Sequence, residues 1–185
     1  MAFKMAAAAD PNAKLFYNDY NLEAGTNKHA GAMRIVKLVQ AYGVKINGVG
    51  FQGHLASETT ASSGALPSLS VLTKSLQDIA NLGVEVAYTE LDIRCTVPAT
   101  SAKLAVAAAA WARAAQSCLN VKQCIGITLW VSCNYLSMKK KSHLLTFLCR
   151  AFLTSTLGSR VFSRLKDLRC CGMTTSQRSL LTPHS

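Results

Sequence analysis

Apolar and polar positions alternate between two kinds of segment over the first 130 residues of the chain. Short runs rich in β-branched, aromatic and other apolar side chains predict β-strands. These predicted strands cover residues 15–18, 46–51, 84–88 and 125–130. In the longer segments between them, apolar side chains recur near the helical period. They predict helices over residues 31–42, 68–82 and 100–119, and Ala6–Ala9 is expected to end a helix that precedes the first strand.

The regular order of strand and helix favours parallel strands with the helices packed outside them. Four such βα units are half of the eight that close a (β/α)8 barrel, which usually takes ~250 residues. The sequence therefore predicts an α/β fold, a partial (β/α)8 TIM barrel. We assign residues 1–130 to this domain and residues 131–185 to a separate tail.

The net charge of +11 is concentrated in the tail. Residues 1–130 hold 11 Lys and Arg against 8 Asp and Glu, or +3, whereas residues 131–185 hold 9 against 1, or +8. Leucines and phenylalanines of the tail are spaced roughly helically, and a basic amphipathic helix can bind nucleic acid or an anionic membrane. Unselected sequence rich in Leu and Arg often has the same pattern. We therefore expect a basic tail that is helical or disordered, with neither nucleic acid nor a membrane as a partner.

The first ten residues lack the charged region and apolar core of a secretory signal, so no signal peptide is expected. No run of about 18 apolar residues predicts a membrane span. The seven cysteines are an odd number, so at least one is unpaired if the protein is secreted. Cys118 and Cys124 are close enough to bridge a short turn. We expect that disulfide in an oxidising compartment and free thiols in the cytosol.

Polar and aromatic side chains follow each predicted strand at its carboxyl end, where barrel enzymes carry their active sites. They are Asn18, Tyr20, Gln52, His54, Glu90, Asp92 and Trp130. Singly, each has a more ordinary interpretation, such as a solvated loop glutamate or a core tryptophan. As a set they favour sugar chemistry, because cleavage of a glycosidic bond needs a carboxylate beside an oxocarbenium-like carbon. Glu90 is the candidate carboxylate, His54 its hydrogen-bond partner, and Asp92 the residue that orients His54.

Four segments carry the most specific combination of motifs in the chain. They are Asp10–Asn21, Gly48–His54, Val84–Arg94 and Gly126–Trp130. Together they resemble family 10 glycoside hydrolases, the endo-1,4-β-xylanases, particularly the fungal ones, over about residues 2–130. The resemblance implies a (β/α)8 barrel of which this chain holds about the last four βα units. It also implies hydrolysis of internal β-1,4-xylosidic bonds with retention of configuration, through a glycosyl-enzyme intermediate.

The same resemblance assigns roles to the site residues. It implies that Glu90 is the catalytic nucleophile, supported by His54 and Asp92. It implies a substrate groove lined by Asn18, Tyr20, Gln52 and Trp130, and a disulfide between Cys118 and Cys124. Xylan or a xylo-oligosaccharide is the expected partner, the expected location is extracellular, and no cofactor or metal is expected.

Two departures from the family pattern bear on activity. The family's acid/base glutamate belongs to an Asn-Glu pair upstream of the segment that resembles residues 2–21, and no Asn-Glu pair occurs in this sequence. The other glutamates, Glu23, Glu58 and Glu85, lack that motif. We therefore expect the chain to be inactive on its own.

The second departure follows Trp130, where the resemblance ends. Val131-Ser132 is what the bases of an intron donor encode in frame, so we expect the tail to be translated intron or frame-shifted sequence. Three functions stay open: a xylan hydrolase, a carbohydrate-binding remnant without turnover, and a basic protein that interacts through its tail. Because half a barrel exposes strand edges, self-association is also expected.

Overall fold

The structure is a computed structural model that describes residues 1–61 and 63–130. Residues 131–185, for which the sequence predicts a helical or disordered basic tail, lie outside the described residues. No helix in the described ranges has both the length and the apolar character needed to cross a membrane.

Helices and strands alternate along the described residues. The helices are α1 (Ala2–Ala9), α2 (Asn27–Ala41), α3 (Leu69–Ala80) and α4 (Ser101–Leu119). The strands are β1 (Phe16–Asp19), β2 (Gly48–Phe51), β3 (His54–Ala56), β4 (Glu85–Arg94) and β5 (Cys124–Leu129). Each predicted helix and strand is confirmed. Strand β3 was not predicted, and β4 extends beyond the predicted end of its strand because it continues into the site residues.

Every strand pair is parallel. β1 pairs with β2, β2 and β3 pair with successive parts of β4, and β4 pairs with β5. β2 and β3 therefore occupy one strand position that is interrupted at Gln52-Gly53. The neighbouring strands follow their order in the chain, which is the arrangement found in the wall of a (β/α)8 barrel.

Helix α3 shows how the outer layer packs on the sheet. It begins after Ser68, whose hydroxyl accepts a hydrogen bond from an amide of the first turn, and Gly83 follows its end with a φ of +80°. Leu72, Leu76 and Ile79 form an apolar stripe that is fully buried. Burial of each such side chain contributes about 1.5–3 kcal/mol, so this stripe is the main reason that α3 is stable in place.

Helix α2 has a buried stripe that includes a polar residue. Its buried residues are His29, Ala32 and Val36, which are spaced as one helical stripe. Leu38 and Tyr42, which recur near the helical period in the sequence, are 57% and 77% exposed. The polar side chain of His29 can be buried because its Nε2 atom hydrogen-bonds a backbone carbonyl of α3.

Cys118, in the last turn of α4, forms a disulfide with Cys124, the first residue of β5. The predicted pairing is therefore present. It links the last helix of the described residues to the strand that precedes Trp130.

Candidate active site

The carboxyl ends of the strands meet at one edge of the sheet, and the predicted site residues lie there. The register aligns Asn18 of β1 with Gly50 of β2. It aligns His54 of β3 with Asp92 of β4. Trp130 follows β5, and its amide donates a hydrogen bond to the carbonyl of Leu91 at 3.1 Å. Residues from four separate parts of the chain are thus collected around Glu90.

The end of β4 departs from the alternation of a regular strand. Tyr88 and Leu91 are both 1% exposed, although residues three apart in a strand normally face opposite sides. The register explains this, because Phe51 pairs with Tyr88 whereas His54 pairs with Asp92. Phe51 and His54 are three residues apart, whereas their partners Tyr88 and Asp92 are four apart. β4 therefore contains one extra residue, which forms a β-bulge. The bulge changes which side chains of β4 face the site.

Glu90 has one partner at each carboxylate oxygen. Asn18 donates a hydrogen bond from Nδ2 to Oε1 at 3.1 Å, and Nε2 of His54 lies 3.5 Å from Oε2. The Glu90 side chain is 22% exposed, so it is mostly enclosed but open to solvent. These contacts fix the orientation of the carboxylate.

Asn18 is itself oriented by the residue that precedes Glu90. The hydroxyl of Thr89 donates to Oδ1 of Asn18 at 2.6 Å, which leaves the amide nitrogen to face Glu90. Gly50 makes room for this arrangement, since a Cβ there would lie 2.3 Å from Asn18 Oδ1. Asn18 was predicted to line the substrate groove, and the structure adds that it contacts the candidate nucleophile directly.

His54 lies between two carboxylates. Its Nδ1 atom is 3.1 Å from Oδ1 of Asp92, and its Nε2 atom is 3.5 Å from Oε2 of Glu90. Ionised carboxylates only accept hydrogen bonds and a neutral imidazole carries one N–H, so only the protonated ring donates to both. A neutral ring is expected to keep Nδ1–H and its shorter contact with Asp92. The predicted contacts of His54 are present in either case.

Two aromatic side chains flank the site and are open to solvent. Tyr20 is 52% exposed and Trp130 is 59% exposed. Trp130 packs edge-on against His54 with ring centroids 6.1 Å apart. The ammonium of Lys28 lies 3.0 Å from the centre of the Tyr20 ring, which restrains this exposed side chain through a cation–π contact.

A cluster around Asp19 was not predicted from the sequence. Its carboxylate accepts hydrogen bonds from the Tyr17 hydroxyl at 2.6 Å and the Tyr20 amide at 2.9 Å, and pairs with Lys28 at 2.8 Å. Burial opposes ionisation of Asp19, but the bonds from Lys28, Tyr17 and the Tyr20 amide outweigh it and lower its pKa. Burial is the main cause that raises the pKa of Tyr17 to about 12, and the hydrogen bond to Asp19 and the negative charge of Asp19 act in the same direction. The cluster fixes the loop that carries Tyr20.

Gln52 and Gly53 connect the site strands through their backbone. The Gln52 amide donates to the Asp19 carbonyl at 2.9 Å, and the Gln52 carbonyl accepts from the Glu90 amide at 3.0 Å. The Gly53 carbonyl accepts from the Asp92 amide at 3.2 Å. Gln52, predicted to line the groove, therefore also ties β1 to the strand that carries Glu90.

Glu23 is a second residue that no sequence motif marks. It was interpreted as a loop residue without a motif, yet it is 3% exposed and its Oε1 atom accepts a hydrogen bond from the Gly53 amide at 2.8 Å. Burial raises the pKa of Glu23, opposed by bonds from backbone amides and by the charge of His54. No sequence spacing identifies it, because its partners belong to a distant segment.

The remaining glutamates are engaged away from Glu90. The Thr96 hydroxyl and amide donate to Glu58 at 2.7 and 2.6 Å and lower the pKa of Glu58. Glu85 begins β4, at the opposite end from the site, and pairs with Lys14 at 2.5 Å. Neither residue faces Glu90 as a proton donor. Within the described part of the chain, no group of three or more His, Cys, Asp or Glu residues is placed to hold a metal ion.

The chain matches the family model for "Glycosyl hydrolase family 10" over residues 1–144, past the assigned domain boundary at residue 130. It is 58% identical over 133 residues to "Endo-1,4-beta-xylanase 2" of Aureobasidium pullulans. It is 54% identical over 131 residues to "Endo-1,4-beta-xylanase A" of Fusarium oxysporum f. sp. lycopersici. Both alignments cover 70% of this chain but only 37% and 40% of the relatives. The chain thus spans less than half the length of these relatives.

Solved structures give the same relationship. A GH10 xylanase from Bispora sp. MEY-1 with xylobiose aligns with a TM-score of 0.65 at 31% identity, covering 75% of this chain and 42% of that one. A xylanase 10C mutant from Cellvibrio japonicus in complex with xylopentaose aligns with a TM-score of 0.61 at 31% identity, covering 70% and 27%. These similarities confirm the predicted partial (β/α)8 barrel.

Proposed function

The chain belongs to glycosyl hydrolase family 10, and from that premise we propose that Glu90 is the nucleophile of a retaining endo-1,4-β-xylanase site. The observation that carries the proposal is the fixed Glu90 carboxylate, with Asn18 at one oxygen and His54 at the other. A carboxylate held this way at the carboxyl ends of barrel strands suits attack on an anomeric carbon.

In the first step, a Glu90 oxygen forms a bond to the anomeric carbon of a xylose unit while the bond to the leaving oxygen breaks. The amide of Asn18 keeps the carboxylate in line, and His54, held by Asp92, restrains its second oxygen. In the second step, water displaces Glu90 from the same carbon. Two inversions give net retention of configuration.

The exposed rings of Tyr20 and Trp130 are the proposed contact surfaces for xylose units, with Gln52 and Asn18 as hydrogen-bond partners. Relatives of this chain have been solved with xylobiose and with xylopentaose, which supports a β-1,4-linked xylose chain as the ligand. We extend that ligand class to this site by family membership and by its polar and aromatic lining.

Cleavage of xylan needs a second carboxyl group, about 5–5.5 Å from the nucleophile, that protonates the leaving oxygen. Glu58 and Glu85 are engaged elsewhere, and Glu23 is buried beneath Gly53. We therefore propose that the 185-residue chain alone attacks only substrates whose leaving group departs without a proton. Xylan should release no reducing sugar.

The test uses 2,4-dinitrophenyl 2-deoxy-2-fluoro-β-xylobioside. Dinitrophenolate leaves without protonation, and the fluorine slows hydrolysis of the intermediate by destabilising its oxocarbenium-like transition state. The full chain should release about one equivalent of dinitrophenolate as a burst and then stop. Glu90→Gln should give no burst, whereas Glu85→Gln, altered at the far end of the same strand, should behave as the unaltered chain. A burst that survives Glu90→Gln contradicts the assignment.

Binding of xylo-oligosaccharide without turnover is the second candidate, favoured by the half-exposed Tyr20 and Trp130 rings. Titration with xylopentaose separates the two functions. Binding that is lost in Trp130→Ala, in a chain that gives no dinitrophenolate burst, supports the binding function alone. A burst supports the nucleophile assignment.

We further propose that the protein is secreted and that it self-associates. The Cys118–Cys124 disulfide fits an oxidising compartment. Among the described residues, β1 pairs only with β2 and β5 only with β4, so each has an open edge. Sedimentation should find dimers or larger species at micromolar concentration, and a monomer there would remove the self-association proposal.

A further inference from the structure

Glu23 is a buried ionisable side chain for which the proposed mechanism has no use. It follows β1, and its carboxylate accepts a hydrogen bond from the Gly53 amide at 2.8 Å. Its backbone carbonyl accepts a second bond, from the Ser75 hydroxyl of α3, at 3.0 Å. Glu23 therefore connects the loop after β1 to the interruption between β2 and β3 and to the helix layer.

Gly53 is held from both sides. Its amide donates to Glu23, and its carbonyl accepts from the Asp92 amide at 3.2 Å. Its φ of +77° favours glycine, and a Cβ there would lie 3.1 Å from the side chains of Leu91 and Tyr88. The turn has little space in which to move, so the position of the next residue, His54, depends on these two bonds.

A buried carboxylate without a salt bridge is costly, and such a group is expected to have a specific partner. For Glu23 that partner is the Gly53 amide. Burial raises the pKa of Glu23, and the bonds from backbone amides and the charge of His54 oppose that rise. Burial raises the pKa of Tyr88 against the effect of its bond to Ser117, and the charge of Glu23 adds to that rise. The contacts of Glu23 are therefore directed at the turn that carries His54.

We propose that Glu23 is a positioning residue, whose Oε1 atom holds the Gly53 peptide so that His54 stands between Glu90 and Asp92. The inference rests on the proposed function, because it assumes that His54 supports Glu90 in the reaction. Glu23 itself touches neither the substrate nor Glu90. It acts through the Gly53 backbone and the direction in which the His54 ring points.

Three variants of the full chain separate this role from a general contribution to folding. Glu23→Leu removes the acceptor but fills the space, and Glu23→Gln keeps an oxygen acceptor for the Gly53 amide. Ser75→Ala is the matched control, since it removes a buried bond to the same residue's carbonyl and leaves the bond to Gly53 intact. If Glu23→Leu does not fold, Glu23→Met replaces it as an apolar side chain of similar length.

Two readouts are measured on each variant. Nuclear magnetic resonance gives the exchange rate of the Gly53 amide and the nitrogen shifts of the His54 ring, which report its tautomer. The dinitrophenolate burst gives the rate constant of attack by Glu90 and the apparent affinity for the fluorosugar. A displaced His54 should lower the rate constant about ten- to a hundredfold and leave the affinity nearly unchanged.

We expect Glu23→Leu to expose the Gly53 amide to exchange, shift the His54 ring signals and slow the burst. Glu23→Gln should retain the burst within about threefold, and Ser75→Ala should leave all signals as they are. Unaltered exchange, ring signals and burst in Glu23→Leu would overturn the inference. Absence of a burst from the unaltered chain would instead count against the proposed function, and the resonance signals would then decide the role of Glu23 alone.

Discussion

Asn18 and Glu90, 72 residues apart in the chain, are joined by a hydrogen bond from Nδ2 to Oε1 of 3.1 Å. The bond closes the site across two strands that do not pair with each other, because β2 lies between them. Gly50 of β2 has no side chain, and Asn18 and Thr89 meet in the space above it. The position of the carboxylate therefore depends on three strands at once.

Replacement of Asn18 should slow attack by Glu90. Asn18→Ala removes one fixed donor, and we expect the burst rate constant to fall about tenfold. Asn18→Asp should slow it further, because a second carboxylate beside Glu90 repels it. Asn81→Ala, at the exposed end of α3, is the control and should keep the original rate. Equal rates for all of these chains would contradict the proposal that Asn18 orients Glu90.

A methyl group added at position 50 should also slow attack by Glu90, because it displaces Asn18. Gly50→Ala puts a Cβ within 2.3 Å of Asn18 and 2.7 Å of Thr89, so their side chains must separate. We expect a slower burst and a loss of about 1–3 kcal/mol in the free energy of unfolding. Gly126→Ala, on β5, meets no atom within 4 Å and should change neither quantity. Stopped-flow absorbance and thermal unfolding measure the two effects.

Burial of Glu23 should make folding stability depend on pH. The folded state raises the pKa of Glu23 above its reference value of 4.5, so at pH values between the two the folded chain holds a proton that the unfolded chain has lost. The contribution of Glu23 to the free energy of unfolding is therefore fully present below that reference value and is lost as pH rises through the folded-state pKa. Glu23→Gln should have the same melting temperature as the unaltered chain at low pH. At pH values above the folded-state pKa of Glu23, the variant should melt at a higher temperature.

Glu58→Gln is the control, for which we expect the opposite dependence of folding stability on pH. Hydrogen bonds from Thr96 lower the pKa of Glu58, so its ionised form is favoured in the folded state at pH values above its reference value. The substitution should therefore lower the melting temperature near neutral pH. Identical pH profiles for the two variants would contradict both assignments.

The Cys118–Cys124 disulfide should stabilise the junction between α4 and β5. It closes a loop with a sequence separation of 6, for which loss of chain entropy predicts about 2 kcal/mol. Replacement of both cysteines by alanine should lower the free energy of unfolding by that amount. Cys95→Ala, at a free cysteine, should have a much smaller effect. Denaturant titration of oxidised and reduced protein provides the comparison.

Membership in family 10 and the parallel α/β fold were predictable from the sequence and are confirmed. The strands and helices have clear periodic patterns, and the turn glycines Gly43 and Gly83 have the positive φ values that their positions after helices suggest. The contacts among Glu90, His54 and Asp92 were also foreseen. Their catalytic roles stay predictions that the burst experiment tests.

The features that the sequence did not predict depend on relations between distant segments. The bulge near Glu90 arises from the register of β4 against β2 and β3, which local periodicity does not contain. Glu23 looks like an ordinary loop residue in the sequence. Its proposed positioning role becomes visible only from the hydrogen bond that it accepts from the Gly53 amide. Leu38 and Tyr42 recur near the helical period yet are exposed, because spacing alone does not say which side of a helix meets the sheet.

The most direct test of Glu90 as the nucleophile is to identify the residue to which the fluorosugar becomes attached. After the burst, the chain is digested and its peptides are sequenced by mass spectrometry. We predict a single fluoroxylobiosyl ester on the Glu90 side chain, absent from Glu90→Gln and slow to form in Asn18→Ala. A label on any other residue, or no label where Glu90 and His54 are intact, would contradict the assignment of Glu90 as nucleophile.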